Sequence, residues 1–170
     1  LKVMLTFQSP PGTKVEWFAA DPQTESGVAI SIDDQGRVYV AEEYRFNQGT
    51  EENRTRAFFL DDDLQIQTLD DRLTMYKKWA HKFDGGMDWF RKHSDQVRLL
   101  EDTDGDGKAD VSKIFAGGFN DTLDGLAAGV LADERGVYLT CIPNLWLLKD
   151  KDGDGKADER TVLATGFGVC

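Results

Sequence analysis

The stretch "EDTDGDGKAD", Glu101 to Asp110, recurs almost letter for letter as "KDKDGDGKAD", Lys149 to Asp158, so that Asp102 returns as Asp150. An internal period of this kind constrains the fold strongly, because a repeated unit cannot bury its faces alone and must stack on its neighbours. A second repeat has a different spacing. "SIDDQGRVYVAE", Ser31 to Glu42, resembles "VLADERGVYLTC", Val130 to Cys141. Each reads as a hairpin: an apolar run ends at a turn carrying Asp34 or Asp133 and a glycine, Gly36 or Gly136, which accepts positive φ. A Val-Tyr-Val or Val-Tyr-Leu strand then follows, β-branched and aromatic as strands prefer.

Continuing from the second hairpin, turn residues divide the chain into four strands, about 126–131, 137–142, 145–149 and 160–164, with the acidic loop between the third and fourth. Such a meander is the blade of a β-propeller. The first unit has the same parts at about 28–32, 37–42, 97–100 and 111–116. From Tyr39 to Tyr138 the hairpins are twice as far apart as the acidic loops are from Asp102 to Asp150, so the first unit carries a long insertion between its second and third strands. That insertion, about 44–95, is partly helical: Leu69, Leu73, Tyr76, Ala80 and Phe83 recur at helical spacing, with aspartates at the start and lysines towards the end. Gly85-Gly86 ends the helix, and "MDWFRKH" adds one further turn. "TKVEWFAAD", Thr13 to Asp21, reads as one more strand. The expected fold is therefore all-β: a partial β-propeller of about two four-stranded blades (27–117 with the insertion, and 125–166) plus an N-terminal strand. Two blades do not close a ring, so the rest of a longer polypeptide, or other chains, is expected to complete it.

The acidic loops follow D-x-D-x-D-G-x-x-D, in which the first, third, fifth and ninth side chains converge and the seventh residue offers its carbonyl. The candidate ligands are Asp102, Asp104, Asp106, the Lys108 carbonyl and Asp110, then Asp150, Asp152, Asp154, the Lys156 carbonyl and Asp158. Hard oxygen donors in a flexible loop suit Ca²⁺, giving two expected calcium sites. Position twelve is Lys113 or Thr161, not the bidentate glutamate of an EF-hand, and the flanks are strand-like. Both loops are third-to-fourth turns, whereas the insertion and the link "GGFNDTLDG" (Gly117 to Gly125) fall on the opposite face, where elaborated loops usually carry function. The loops therefore read as structural staples. The opposite face offers Glu42, Glu43, Tyr44, Arg45, Asn120, Asp121, Asp124 and Asn144 as candidate contacts to a small polar ligand, set against a purely turn-capping role for the same residue types. His81 and His93 read as surface or packing histidines, and the four tryptophans as core.

A net charge of −11 argues against nucleic acid as a partner. No apolar run is long enough to span a membrane. The two cysteines, Cys141 and Cys170, leave a disulfide open. No nucleophile elbow, P-loop or dinucleotide fingerprint occurs, and no C-x-x-C-H haem motif.

"PPGTKVEWFAADP", "GRVYVAEEYRF", "ENRTRAFFLDDD", "HSDQVRLLEDTDGDGKADVSKIFAGGFNDTLDG" and "YLTCIPNLWLLKDKDGDGKADERTVLATGFG" together resemble the N-terminal propeller of large exported planctomycete and verrucomicrobial proteins described as membrane-bound dehydrogenases or haem-binding C-x-x-C-H proteins. The resemblance implies a propeller similar to those of soluble glucose and sorbosone dehydrogenases. It further implies a periplasmic or extracellular location, a quinone cofactor such as pyrroloquinoline quinone with a sugar- or alcohol-like substrate on the propeller axis, and a c-type cytochrome, in a separate domain or partner, that accepts the electrons. The family's histidine-bearing segment lies beyond "TGFGV", so the resemblance carries no catalytic residue onto this chain. The alternative reading is a non-catalytic, calcium-dependent carbohydrate-binding or scaffold module.

Overall fold

The computed structural model describes residues 7–50, 52 and 54–168. Eight strands form two four-stranded antiparallel sheets. The first contains β1 (Gly27–Ile32), β2 (Val38–Glu42), β3 (Asp95–Glu101) and β4 (Val111–Phe119), in that order. The second contains β5 (Ala127–Asp133), β6 (Gly136–Cys141), β7 (Asn144–Lys149) and β8 (Glu159–Thr165). The chain is thus mostly β, as the alternation of apolar runs and turns requires.

The hairpin turns are built from aspartate, but in the first unit the working residue is Asp33, not the expected Asp34. One Asp33 oxygen accepts the N–H groups of Gln35 and Arg37, and the other accepts Arg37 Nε at 2.7 Å. Asp133 repeats this, accepting the Arg135 N–H and Arg135 Nε. A carboxylate two residues before the N–H it binds closes such a turn, which is why the acceptor must sit at that offset.

The two sheets are register copies of each other. Arg98 pairs with Ile114 and Leu100 with Ser112; at the equivalent rungs of the second sheet Trp146 pairs with Val162 and Leu148 with Arg160. Both ladders slip at one equivalent place, so that Phe115 in β4 and Leu163 in β8 are each the additional residue of a bulge. A bulge withdraws a residue from regular pairing. The Phe115 carbonyl makes use of this: it accepts the Ala157 N–H from the second acidic loop at 2.8 Å. Beside it, Lys113 Nζ reaches the Asp154 carbonyl at 2.9 Å, and Arg160 Nη1 reaches the Gly117 carbonyl.

Between the sheets lies one core. Tyr39, Ala41, Val97, Leu99, Phe115 and Phe119 of the first sheet meet Val137, Leu139, Cys141 and Leu148 of the second, all buried. Val38, Val40 and Leu100 point from the first sheet to its other side, where Phe18 and Ala19 lie against them with Ala109. The N-terminal stretch expected as a strand from Thr13 to Asp21 is not one. Among the described residues it forms no ladder, because Phe18 and Ala19 lie against the face of the first sheet at Val38, Val40 and Leu100, and the Phe18 carbonyl instead accepts the Ala109 N–H at 2.9 Å. This bond is the first loop's counterpart of the one from Ala157 to Phe115.

The insertion between β2 and β3 is largely helical. A short helix α1 (Leu60–Asp63) precedes α2 (Leu69–Trp79), and Thr68 and Asp71 form a reciprocal capping box at the start of α2. The buried face of α2 is Met75 and Tyr76, with Leu69 and Leu73 only half-buried, and Ala80 and Phe83 fall beyond its end. Phe59, Ile66, Met75, Tyr76, Phe83 and Phe90 make a second core, with the Tyr76 and Phe90 rings stacked at 4.2 Å. Gly85 and Gly86, both at positive φ, end the helical run, and "MDWFR" forms a 3₁₀ segment as expected. Cys141 is buried with a free thiol. Cys170 lies outside the described residues, as does any pairing with it. Among the described residues no helix is long and apolar enough to cross a membrane.

Candidate functional site

Each acidic loop folds on its own backbone. Asp102 accepts the N–H of Gly105 at 2.7 Å with one oxygen and that of Gly107 at 2.8 Å with the other; Asp150 accepts from Gly153 and Gly155 at 2.7 and 2.9 Å. Asp104 accepts the Asp106 N–H and Asp106 the Lys108 N–H; in the second loop Asp152 accepts the Asp154 N–H and Asp154 the Lys156 N–H. The ninth position closes the turn: Asp110 accepts the Thr103 N–H and Asp158 the Lys151 N–H, both at 2.7 Å. Those bonds hold the Asp110 carboxyl below its ordinary range, the Thr103 N–H first and the Thr103 hydroxyl second. The four central glycines all take positive φ, between 79° and 86°, which lets successive carboxylates turn to one side.

The result is two carboxylate clusters. Oxygens of Asp102, Asp104 and Asp106 lie within 4.8 Å of one another, as do those of Asp150, Asp152 and Asp158. Like charges this close repel unless a cation or protons intervene. Hard, flexible oxygen donors at this spacing are the donor set of Ca²⁺. Both loops stand at the end of the sheets that carries the hairpin turns. A cavity of about 370 Å³ opens there between the two hairpins and Asp150, with Tyr39 in its lining. Burial pushes the Tyr39 phenol up to about 12.

On the opposite end the eight expected ligand residues separate. Glu42 is fully buried and already saturated: it accepts from Thr24 Oγ1, the Glu25 N–H, Tyr44 Oη, Gln96 Nε2 and Arg98 Nε. Burial alone would raise its carboxyl, but the Arg98 and Gln96 bonds outweigh it and hold the group below its ordinary value. Arg45 is also fully buried. It donates through Nη1 to the Asp124 and Gly125 carbonyls, both at 2.8 Å, and through Nη2 to those of Phe90 (2.9 Å), Asp121 (3.2 Å) and Gly49 (3.3 Å). Its guanidinium therefore joins the insertion to the link between the sheets and faces no ligand. Asp95, equally buried, completes this junction by accepting the N–H groups of Tyr44, Arg45 and Ala127. Asp95 was not among the residues singled out by sequence, and only its place at the insertion's end hinted at it.

Glu43 and Tyr44 remain accessible. They line a shallow cavity of about 480 Å³ with Phe46, Gln48 and His93, beside the start of β1. Partial burial, and then the charge of Asp95, raise the Glu43 carboxyl above its ordinary range. His93, read from sequence as a packing or surface residue, thus stands with the two accessible candidates. Asn120 donates to the Arg91 carbonyl, Asp121 pairs with Arg91 at 3.5 Å, and Asp124 accepts the Asp121 N–H. Burial raises the Asp124 carboxyl. Asn144 opens β7 and does not line the cavity. No lysine or arginine lines it either, and His93 is its one basic side chain.

A family model described as a domain of unknown function (DUF7133) matches residues 2–170. No curated protein and no solved structure matches the chain.

Proposed function

The chain belongs to the DUF7133 family, and we propose that within it this segment is a calcium-stapled part of a β-propeller, two successive blades and an N-terminal edge segment, in an exported dehydrogenase. The observation that carries the calcium assignment is the duplication of one hydrogen-bonded loop at the same third-to-fourth turn of two sheets, each copy gathering three carboxylates within 4.8 Å: the first, third and fifth positions in one and the first, third and ninth in the other, with Asp110 and Asp154 outside these groups. Asp102, Asp104, Asp106 and Asp110, with the Lys108 carbonyl, hold one ion; Asp150, Asp152, Asp154 and Asp158, with the Lys156 carbonyl, hold the other. The ions act structurally, because each loop secures its own sheet to the segment before it.

The propeller reading is supported by two register-matched four-stranded meanders whose faces pack together, with innermost strands β1 and β5 adjacent. The redox reading, with a sugar or alcohol substrate, a quinone and a c-type cytochrome as electron acceptor in a periplasmic or extracellular setting, rests on the sequence resemblance. The cavity at Glu43 offers a quinone's carboxylates one basic side chain, His93, and so lends this part of the reading little support. One observation favours the alternative of a non-catalytic carbohydrate-binding or scaffold module: Glu42 and Arg45, the strongest charged groups on the elaborated face, are consumed in internal bonds.

Isothermal titration of the chelator-treated chain with Ca²⁺ tests the assignment. Two sites are expected, with one lost in Asp102→Asn and the other in Asp150→Asn. At a hundredfold excess over Kd each ion adds about 2.7 kcal/mol to stability, so chelation lowers the melting temperature by several degrees. Absence of binding heat, together with a melting curve indifferent to chelator, would refute it. Reduction of an artificial electron acceptor by the full-length protein with a sugar panel separates the dehydrogenase from the binding module.

A further inference from the structure

The shared register lets every position in the second sheet be compared with its counterpart in the first. Phe115 and Phe119 of β4 are 3% and 2% exposed, because the second sheet covers them. Their counterparts Leu163 and Phe167 are 47% and 51% exposed, on a face that also presents Leu131 at 59%. The side chains are of the same apolar kind, and so is the backbone: Leu163 is the bulge residue of β8 as Phe115 is of β4. The Phe115 carbonyl receives the loop alanine Ala157; the Phe18 carbonyl, on the other side of the first sheet, receives the loop alanine Ala109. The Leu163 carbonyl receives no such N–H among the described residues.

Three successive segments, "EWFAA", "KIFAG" and "TVLAT", therefore present the same acceptor at the same position, and two of the three are engaged by the alanine of a D-G-x-A-D loop. We propose that the open face of the second sheet around Leu163 and Phe167 is a docking surface for a further four-stranded antiparallel unit of this repeat. That unit bears a D-x-D-x-D-G-x-A-D loop between its third and fourth strands, and its loop alanine N–H donates to the Leu163 carbonyl. Val137, Leu139 and Leu148, which seal the first sheet, define the apolar residues its second and third strands must carry. The inference rests on the propeller reading above and adds the identity of the next unit and the atom it engages.

The probe is residues 1–168 followed directly by a second copy of residues 121–168, which continues the period of the acidic loops. Hydrogen exchange at β8 is expected to slow by about tenfold or more relative to the unextended chain. Leu163→Asp leaves the melting temperature of the unextended chain unchanged but abolishes the β8 protection in the extended one, as does a proline in place of the appended loop's alanine. Unchanged β8 exchange in the extended chain overturns the proposal whether or not the appended unit folds, since the same sequence folds against the first sheet. Unfolding of the unextended chain by Leu163→Asp overturns it too, by showing that the face is not open. Protection of β8 in a protein that binds no Ca²⁺ by titration upholds the docking surface and refutes only the calcium assignment.

Discussion

Replacing Arg45 by methionine measures what the buried guanidinium holds together. Methionine keeps much of the side-chain volume and removes every donor. Five carbonyls, those of Gly49, Phe90, Asp121, Asp124 and Gly125, then lose the arginine's donors, although Asp121 keeps the Asp124 N–H and Gly125 the Cys141 thiol. A buried acceptor left without a partner costs about 1–3 kcal/mol. The three contacts at 2.8–2.9 Å dominate, because the two longer ones are weak and the Asp121 carbonyl keeps its second donor. The expected loss is about 4 kcal/mol, a large share of the roughly 5–15 kcal/mol available to a domain. Arg45→Lys retains the charge but only three donors without the planar fork, and is expected to lose about half as much. Urea unfolding followed by tryptophan fluorescence is the assay, since Trp79 and Trp89 sit in the insertion and Trp146 in the second sheet. The tryptophans of the insertion should report an earlier transition than the far-UV circular dichroism of the sheets. A loss below about 1 kcal/mol in Arg45→Met, with both probes coincident, would show that the insertion is held by its aromatic core alone and that the junction is incidental.

Glu42 sets part of the acid limit of stability. Its carboxyl titrates below its ordinary value of 4.5 when folded, so its contribution is complete above that value and disappears as pH falls through the lower folded one. Glu42→Gln should cost about 2 kcal/mol at pH 7, and the difference from the parent should shrink as the pH falls below 4.5 in urea titrations; a constant difference over that fall would contradict the assignment. Gly136 is at φ 137°, and a Cβ there would stand 2.5 Å from the Leu148 carbonyl oxygen. Gly136→Ala should therefore lose about 2 kcal/mol or more in thermal unfolding, whereas Gly36→Ala, with nothing near its Cβ, loses about 1 kcal/mol from backbone strain alone. Equal losses would show that the close approach is relieved by movement.

The strands were legible because each is bounded by local chemistry: an aspartate that closes a turn, a glycine with positive φ, an apolar run of strand length. The acidic loops were legible for the same reason, since their bonds run between near neighbours in the chain. What the sequence reading missed lies in contacts of long separation. Arg45 and Glu42 looked like ligand residues because arginine and glutamate at a strand end usually face solvent, and the carbonyls that bury Arg45 come from as far along the chain as Gly125. Asp95 and His93 were undervalued for the same reason. Helix α2 buries Met75 beside the expected Tyr76, in a cluster with Phe59, Ile66, Phe83 and Phe90 that the period of its own leucines does not reveal. The N-terminal stretch had strand composition but no ladder to join, and composition cannot reveal a missing neighbour.

The internal bonding of the acidic loops has a practical reach of its own. Outside its own residues each loop makes two backbone bonds: one, from the Asp110 N–H to the Glu101 carbonyl or from the Asp158 N–H to the Lys149 carbonyl, both at 2.8 Å, closes it onto its strand ends, and the other carries its alanine N–H to the Phe18 or Phe115 carbonyl of the segment before it. An antiparallel pair offering that rung, with an acceptor carbonyl beside it for the alanine, could host the loop. It is thus a transplantable cassette, and grafting it into an unrelated hairpin would confer an ion-dependent clasp on a sheet that never had one.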